Sequence, residues 1–177
     1  MDIKEIIKKV SSLQNCTVYQ PSSMISLPNG LEAPDDLIEF YKICGGISLF
    51  EGAPYAVKTV TPQEFIRANP VIIGEEIINA EIEKGTYDNE ISKDWFIIAD
   101  LYNSDYIVID LNKERLGQCY KAFWDSYPEV GSTTIIAKSF TELLMKLVEN
   151  RGEYWYFLKD DYISYGDAYD GIDTEQN

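Results

Sequence analysis

The 177-residue chain carries 15 Lys and Arg against 30 Asp and Glu, for a formal net charge of −15, with 45% hydrophobic and 13% aromatic residues and no histidine. Its length and apolar share are those of a globular domain with a full core. The missing histidine excludes Ser-His-Asp and Cys-His nucleophile systems and His-ligated zinc or haem, and the charge argues against nucleic acid or an anionic membrane as a direct partner, since both need a basic patch.

Residues 2–13 place Ile3, Ile6, Ile7, Val10 and Leu13 at helical spacing, with Lys4, Lys8 and Lys9 mostly opposite, and so predict an amphipathic helix. A start charged throughout does not read as an export signal. After a loop over 20–30, Pro34 followed by Asp35 and Asp36 suits a helix N-terminus. Leu37, Phe40, Tyr41 and Cys44 line that helix, and Gly45 offers a left-handed stop. Residues 47–50 and 55–60 read as two short strands around Glu51-Gly52-Ala53-Pro54. Thr61-Pro62-Gln63-Glu64 has the form of a capping box and predicts a short helix that Asn69-Pro70 interrupts. Residues 75–83 read as a further helical piece.

The runs WFIIAD (95–100) and DYIVIDL (105–111), joined by LYNS, predict a hairpin, and 117–123 a third antiparallel strand. Ser139-Phe140-Thr141-Glu142 is a second capping box. It opens a helix to about Asn150, with Phe140, Leu143, Leu144, Leu147 and Val148 on the buried side. Strands and helices come in blocks, which gives an α+β fold with an antiparallel sheet. One domain is expected over 1–151. Residues 152–177 form an acidic, tyrosine-rich extension whose 154–157 stretch docks on the body and whose end is mobile.

Cys16, Cys44 and Cys119 are odd in number, far apart and without a CxxC pair, which reads as reduced, buried thiols of a cytoplasmic protein. Asp100, Asp105 and Asp110 cluster at the hairpin, where strand-end aspartates satisfied by backbone N–H groups are favoured over acid–base chemistry. Asp160, Asp161, Asp167, Asp170 and Asp173 lack the calcium-loop spacing and read as a solvated acidic run. Trp95 and Trp124 are core or rim candidates. No cofactor or metal is implied.

In order and spacing these pieces resemble the SMI1/KNR4 family of the SUKH superfamily. GLEAPDDLIEFYKICGG (30–46) is similar to the family's opening signature, with Pro34, Leu37, Phe40, Tyr41, Gly45 and Gly46 in step. The 95–100 and 105–110 strands resemble its central hairpin, Gly117-Gln118-Cys119-Tyr120 its next short strand, and residues 137–144 the entry to its C-terminal helix. The resemblance implies a central antiparallel sheet of about six strands with helices around it, and no catalytic centre. It further implies that bacterial relatives are immunity proteins neutralising polymorphic toxins, often nucleases, and that fungal ones regulate cell-wall glucan synthesis.

The expected function is therefore binding, with the partner a cognate toxin carrying a basic surface that acidic and aromatic side chains occlude. A regulatory or scaffold protein of cell-wall metabolism is the alternative, and a carboxylate-based carbohydrate-active enzyme a distant third. The contact surface is expected near the hairpin loops and the 47–55 segment, with Glu51, Tyr55, Tyr102, Asp105, Asp125 and Glu129 as candidate partner-binding residues.

Overall fold

In the computed structural model, which describes residues 1–172, seven strands follow one another across a single sheet in their order along the chain. They are β1 (Thr17–Tyr19), β2 (Gly46–Leu49), β3 (Val57–Thr59), β4 (Trp95–Asp100), β5 (Tyr106–Asp110), β6 (Cys119–Ala122) and β7 (Ile135–Ala137). Every neighbouring pair is antiparallel. The four α-helices are α1 (Ile3–Val10), α2 (Asp35–Ile43), α3 (Glu75–Lys84) and α4 (Phe140–Glu149). This is the expected α+β architecture, with seven strands where about six were expected. Among the described residues, no helix is long and apolar enough to cross a membrane.

The first helix begins where Asp2 and Glu5 cap each other's backbone N–H groups, and it buries Ile3, Ile6, Ile7 and Val10. Helices α1, α2 and α4 pack together over the core. Phe40 of α2 meets Phe140 of α4 edge-on at 4.9 Å, and the Tyr41 hydroxyl donates to the Val60 carbonyl at 2.9 Å. Asp36 joins the two helix starts, its Oδ2 accepting from the backbone N–H (2.8 Å) and hydroxyl (2.9 Å) of Thr141. That carboxylate lies at the positive end of α4, where the helix dipole favours it.

Two local expectations are corrected. Gly45 is not a left-handed stop: α2 ends at Cys44 in extended backbone, and the positive φ (133°) belongs to Gly46. Glycine is needed at 45 because a Cβ there would collide with the Gln20 carbonyl oxygen as the chain pairs with its neighbour. Only half of the Thr61–Glu64 capping box forms: Glu64 Oε2 accepts from Thr61 N–H at 2.9 Å, but the Thr61 hydroxyl donates to the same carboxylate instead of accepting from Glu64 N–H. No helix starts there, the next helical turn beginning at Ala68. The chain turns instead to pair with β4, where Ile97 N–H donates to the Ile66 carbonyl at 2.9 Å and Arg67 bridges Phe96. Strand β4 outruns the three-residue β3, and its buried N–H groups require a partner beyond it.

Beyond α4 the chain wraps the β7 edge. Tyr156 donates to Ile136 O at 2.9 Å, Ile135 N–H to Gly166 O at 2.9 Å, and Ala168 N–H to Thr133 O at 2.9 Å, so an otherwise open edge is covered. The tyrosines of this segment dock on α4, where the rings of Tyr156, Tyr162 and Tyr165 lie 5.3, 5.8 and 4.8 Å from Lys146 Nζ, itself paired with Glu142 at 2.8 Å. Gly152, at φ 73°, starts the wrap, since a Cβ there would stand 2.6 Å from Phe50 Cβ. Residues 173–177, on which the expected mobile end falls, lie outside the described residues.

A polar hub sits in the core at the start of β4. Asp110, with no exposed surface, accepts through Oδ2 from Trp95 Nε1 (2.9 Å), Arg115 Nε (2.8 Å) and the Tyr120 hydroxyl (2.8 Å). Through Oδ1 it accepts from Asn112 N–H at 2.8 Å. Burial holds its carboxyl above the ordinary range, against the pull of the Asn112 N–H and the Arg115 guanidinium. The three cysteines are free thiols, with Cys44 and Cys119 fully buried, and burial raises both, Cys44 to about 11.

Candidate partner-binding surface

A sequential antiparallel meander brings alternate turns to the same end of the sheet. The turns after β2, β4 and β6, residues 50–56, 101–105 and 123–134, therefore share one end, and all six predicted contact residues lie on them. Glu51 and Tyr55 are on the first, Tyr102 and Asp105 on the second, Asp125 and Glu129 on the third. The Asp110 hub belongs to the opposite end.

Glu51 and Tyr102 are brought together, lining a hollow of about 380 Å³ with Gly52, Ala53 and Pro54. Glu51 is fixed by its N–H donating to Asn15 O at 2.7 Å and by its carboxylate accepting from Thr17 Oγ1 at 3.3 Å. Tyr102 has φ 71° and Ser104 φ 65°, so this turn is left-handed with no glycine in it. Such a conformation costs about 1–3 kcal/mol for a non-glycine residue. Asp100 Oδ1, accepting from Tyr102 N–H at 2.7 Å, holds it in place. The outcome is an aromatic ring left 55% exposed, where its own burial gives little in return.

Tyr55 is half-buried as the floor of an aromatic group. Its ring meets Tyr154 at 5.0 Å and Trp155 at 5.3 Å, and Trp155 Nε1 donates to its carbonyl at 3.2 Å. Asp105 is buried, and its Oδ1 accepts from the backbone N–H of Trp124 at 3.1 Å. Burial raises its carboxyl, partly offset by that N–H. Asp105 therefore acts on this surface through Trp124, whose side chain is 65% exposed. Asp125 is exposed beside it, accepting from the Ser126 hydroxyl at 3.1 Å.

Glu129 is exposed but separated from the others by Tyr127, which is sunk against Trp95 at the far end of β4 (ring centroids 6.0 Å) and donates to Asn69 Oδ1. The third turn thus folds back along the sheet beyond Ser126. Sequence reasoning left Trp124 as core or rim and did not name Glu153 and Tyr154, which are also exposed. Strand alternation after β6 gives no signal for Trp124, because a tryptophan two residues past a strand reads equally as core. Tyr154 was visible only as part of an aromatic run.

The arrangement offers three exposed aromatic rings, Tyr102, Trp124 and Tyr154, among the exposed carboxylates Glu51, Asp125 and Glu153. The expected hairpin carboxylates are each engaged locally: Asp100 by Tyr102 N–H, Asp105 by Trp124 N–H and Asp110 by its hub. Among the described residues, no group of three or more His, Cys, Asp or Glu is placed to hold a metal ion. Aromatic anchors ringed by charge are the chemistry of a protein-binding face.

A family model described as the SMI1 / KNR4 family (SUKH-1) matches residues 29–146. The chain is also 41% identical, over 175 residues, to a protein named immunity protein YokJ from Bacillus subtilis (strain 168). That alignment covers 99% of this chain and 100% of the relative. No solved structure matches.

Proposed function

The chain belongs to the SMI1/KNR4 family (SUKH-1), and from that premise we propose that it is an immunity protein, which works in the cytoplasm by binding a cognate protein toxin rather than by catalysis. The observation that carries this reading is the likeness to a named immunity protein along nearly the whole chain, the wrapped segment after α4 included.

The toxin is of nuclease type, and the loop end covers its basic surface. A nuclease must hold phosphates in a basic cleft, and a chain of charge −15 is drawn to such a surface. The exposed rings and carboxylates of the loop end match what that cleft presents. The buried Asp105 fixes Trp124 before binding, so less side-chain freedom is lost on association.

Co-expression with a candidate nuclease toxin tests the reading. Growth restored, with the two chains co-purifying, is the expected result. Growth still arrested while this chain is folded and abundant contradicts it.

A further inference from the structure

Beside the loop end, β4 changes partner. Its Asp100 and Ala99 pair with Lys58 and Thr59 of β3 and its Ile98 carbonyl accepts from Val60 N–H, but from Ile97 back its partner on that edge is the segment at 66–67. A change of partner along one strand edge leaves a gap between the two partners. Here it opens a hollow of about 180 Å³, with Ile66, Val71, Ile97 and Tyr106 among its walls. Ile66 is 47% and Val71 44% exposed, so apolar surface stands in water at the opening.

Glu64, Asp100 and Lys58 also line it. Lys58 Nζ is 3.8 Å from Glu64 Oε2, which already accepts from Thr61 N–H, and Asp100 uses Oδ1 for Tyr102 N–H. One lysine against two carboxylates leaves a single negative charge uncompensated. Donation from Thr61, against a smaller effect of burial, holds Glu64 below the ordinary carboxylate range, so it is ionised at neutral pH.

We infer that this hollow receives one arginine side chain of the partner protein, its methylenes between Ile66 and Val71 and its guanidinium on Glu64 and Asp100. The inference rests on the proposed function for what that partner is. A cationic head supplies the missing charge, and an aliphatic stem covers the exposed walls. Arginine fits better than lysine because a forked, planar donor reaches two carboxylates at once and stacks on a ring such as Tyr106, whereas an ammonium group would only repeat Lys58. Asp100 and Tyr106 form the base of the hairpin that presents Tyr102, so the arginine falls within the same footprint.

The test is a methyl NMR titration of the full chain with N-acetyl-arginine amide, using the citrulline analogue as the neutral control of the same shape. Saturable shifts are expected at the methyls of Ile66, Val71 and Ile97, at least about tenfold weaker with citrulline. A Glu64→Gln, Asp100→Asn double variant, with unchanged methyl dispersion elsewhere, should lose them. Equal shifts with citrulline, or saturable shifts elsewhere but not at these methyls, would overturn the assignment. Because no toxin is present, that failure leaves the immunity reading standing. Failed rescue in co-expression alongside intact arginine binding would instead remove the toxin as partner.

Discussion

Replacing Asp110 with alanine is expected to lower the unfolding free energy by about 3–5 kcal/mol, because it strands Arg115, Trp95 Nε1 and the Tyr120 hydroxyl without their acceptor in the core. The carboxylate also closes the β5–β6 turn through Asn112 N–H, so the loss is shared by the centre of the sheet. Denaturant unfolding followed by tryptophan fluorescence checks this, since Trp95 lies in the hub. A loss below about 1 kcal/mol, the size of an average substitution, contradicts it.

Asp110→Asn keeps an acceptor and removes the charge, and so should cost less than the alanine. Its pH dependence has a definite sign. Burial raises the Asp110 carboxyl, so the folded chain holds that proton more tightly than the unfolded one. The contribution is fully present below the unfolded value near 3.8 and is lost as pH rises through the folded value. The stability advantage of the native chain over Asp110→Asn should therefore widen on acidification. Thr61 N–H donation to Glu64 works in the opposite direction, giving stability at neutral pH that falls away in acid.

Trp124→Ala is expected to weaken toxin binding by about 2 kcal/mol or more, roughly thirtyfold, while folding stability changes by less than about 0.5 kcal/mol. The two effects separate because the ring is 65% exposed, leaving the fold little to lose, and because its backbone is held in advance by Asp105. Asp105→Ala should reproduce part of the affinity loss with its own carboxylate never at the interface. Charge reversal at Glu51 or Asp125 should act mainly on the association rate if these lie at the rim, and on dissociation if they are enclosed. Calorimetric or surface-binding titration of folded variants decides. Native affinity for Trp124→Ala would remove the anchor from this end of the sheet.

The helices were legible where periodicity was strong, as in α1, and where a cap agreed with it, as in α4 opening at Ser139. The central hairpin was legible because its two β-branched runs are long. β1 and β7, three residues each, carry too little alternation to register, and both are defined by partners far along the chain. The same physics explains Thr61–Glu64. Its local signal was a helix start, but the unpaired N–H of Ile97 claimed the following residues.

The placement of the candidate surface followed from turn positions, since a meander stacks alternate turns. Which residues stand exposed on it did not. Whether Asp105 faces out or in, and whether Trp124 is core or anchor, depends on how the third turn folds back to seat Tyr127 on Trp95. The hollow beside β3 was out of reach altogether, because it arises from β4 exchanging one partner for another.

Hydrogen exchange of the full chain, free and bound to the co-purified toxin, tests most directly that the loop end is the binding face. Slowed exchange on binding is expected in residues 51–55, 101–105 and 123–126, with α1, α2 and α4 unchanged. Protection confined to the helical layer, with those three turns exchanging as in the free chain, would contradict it.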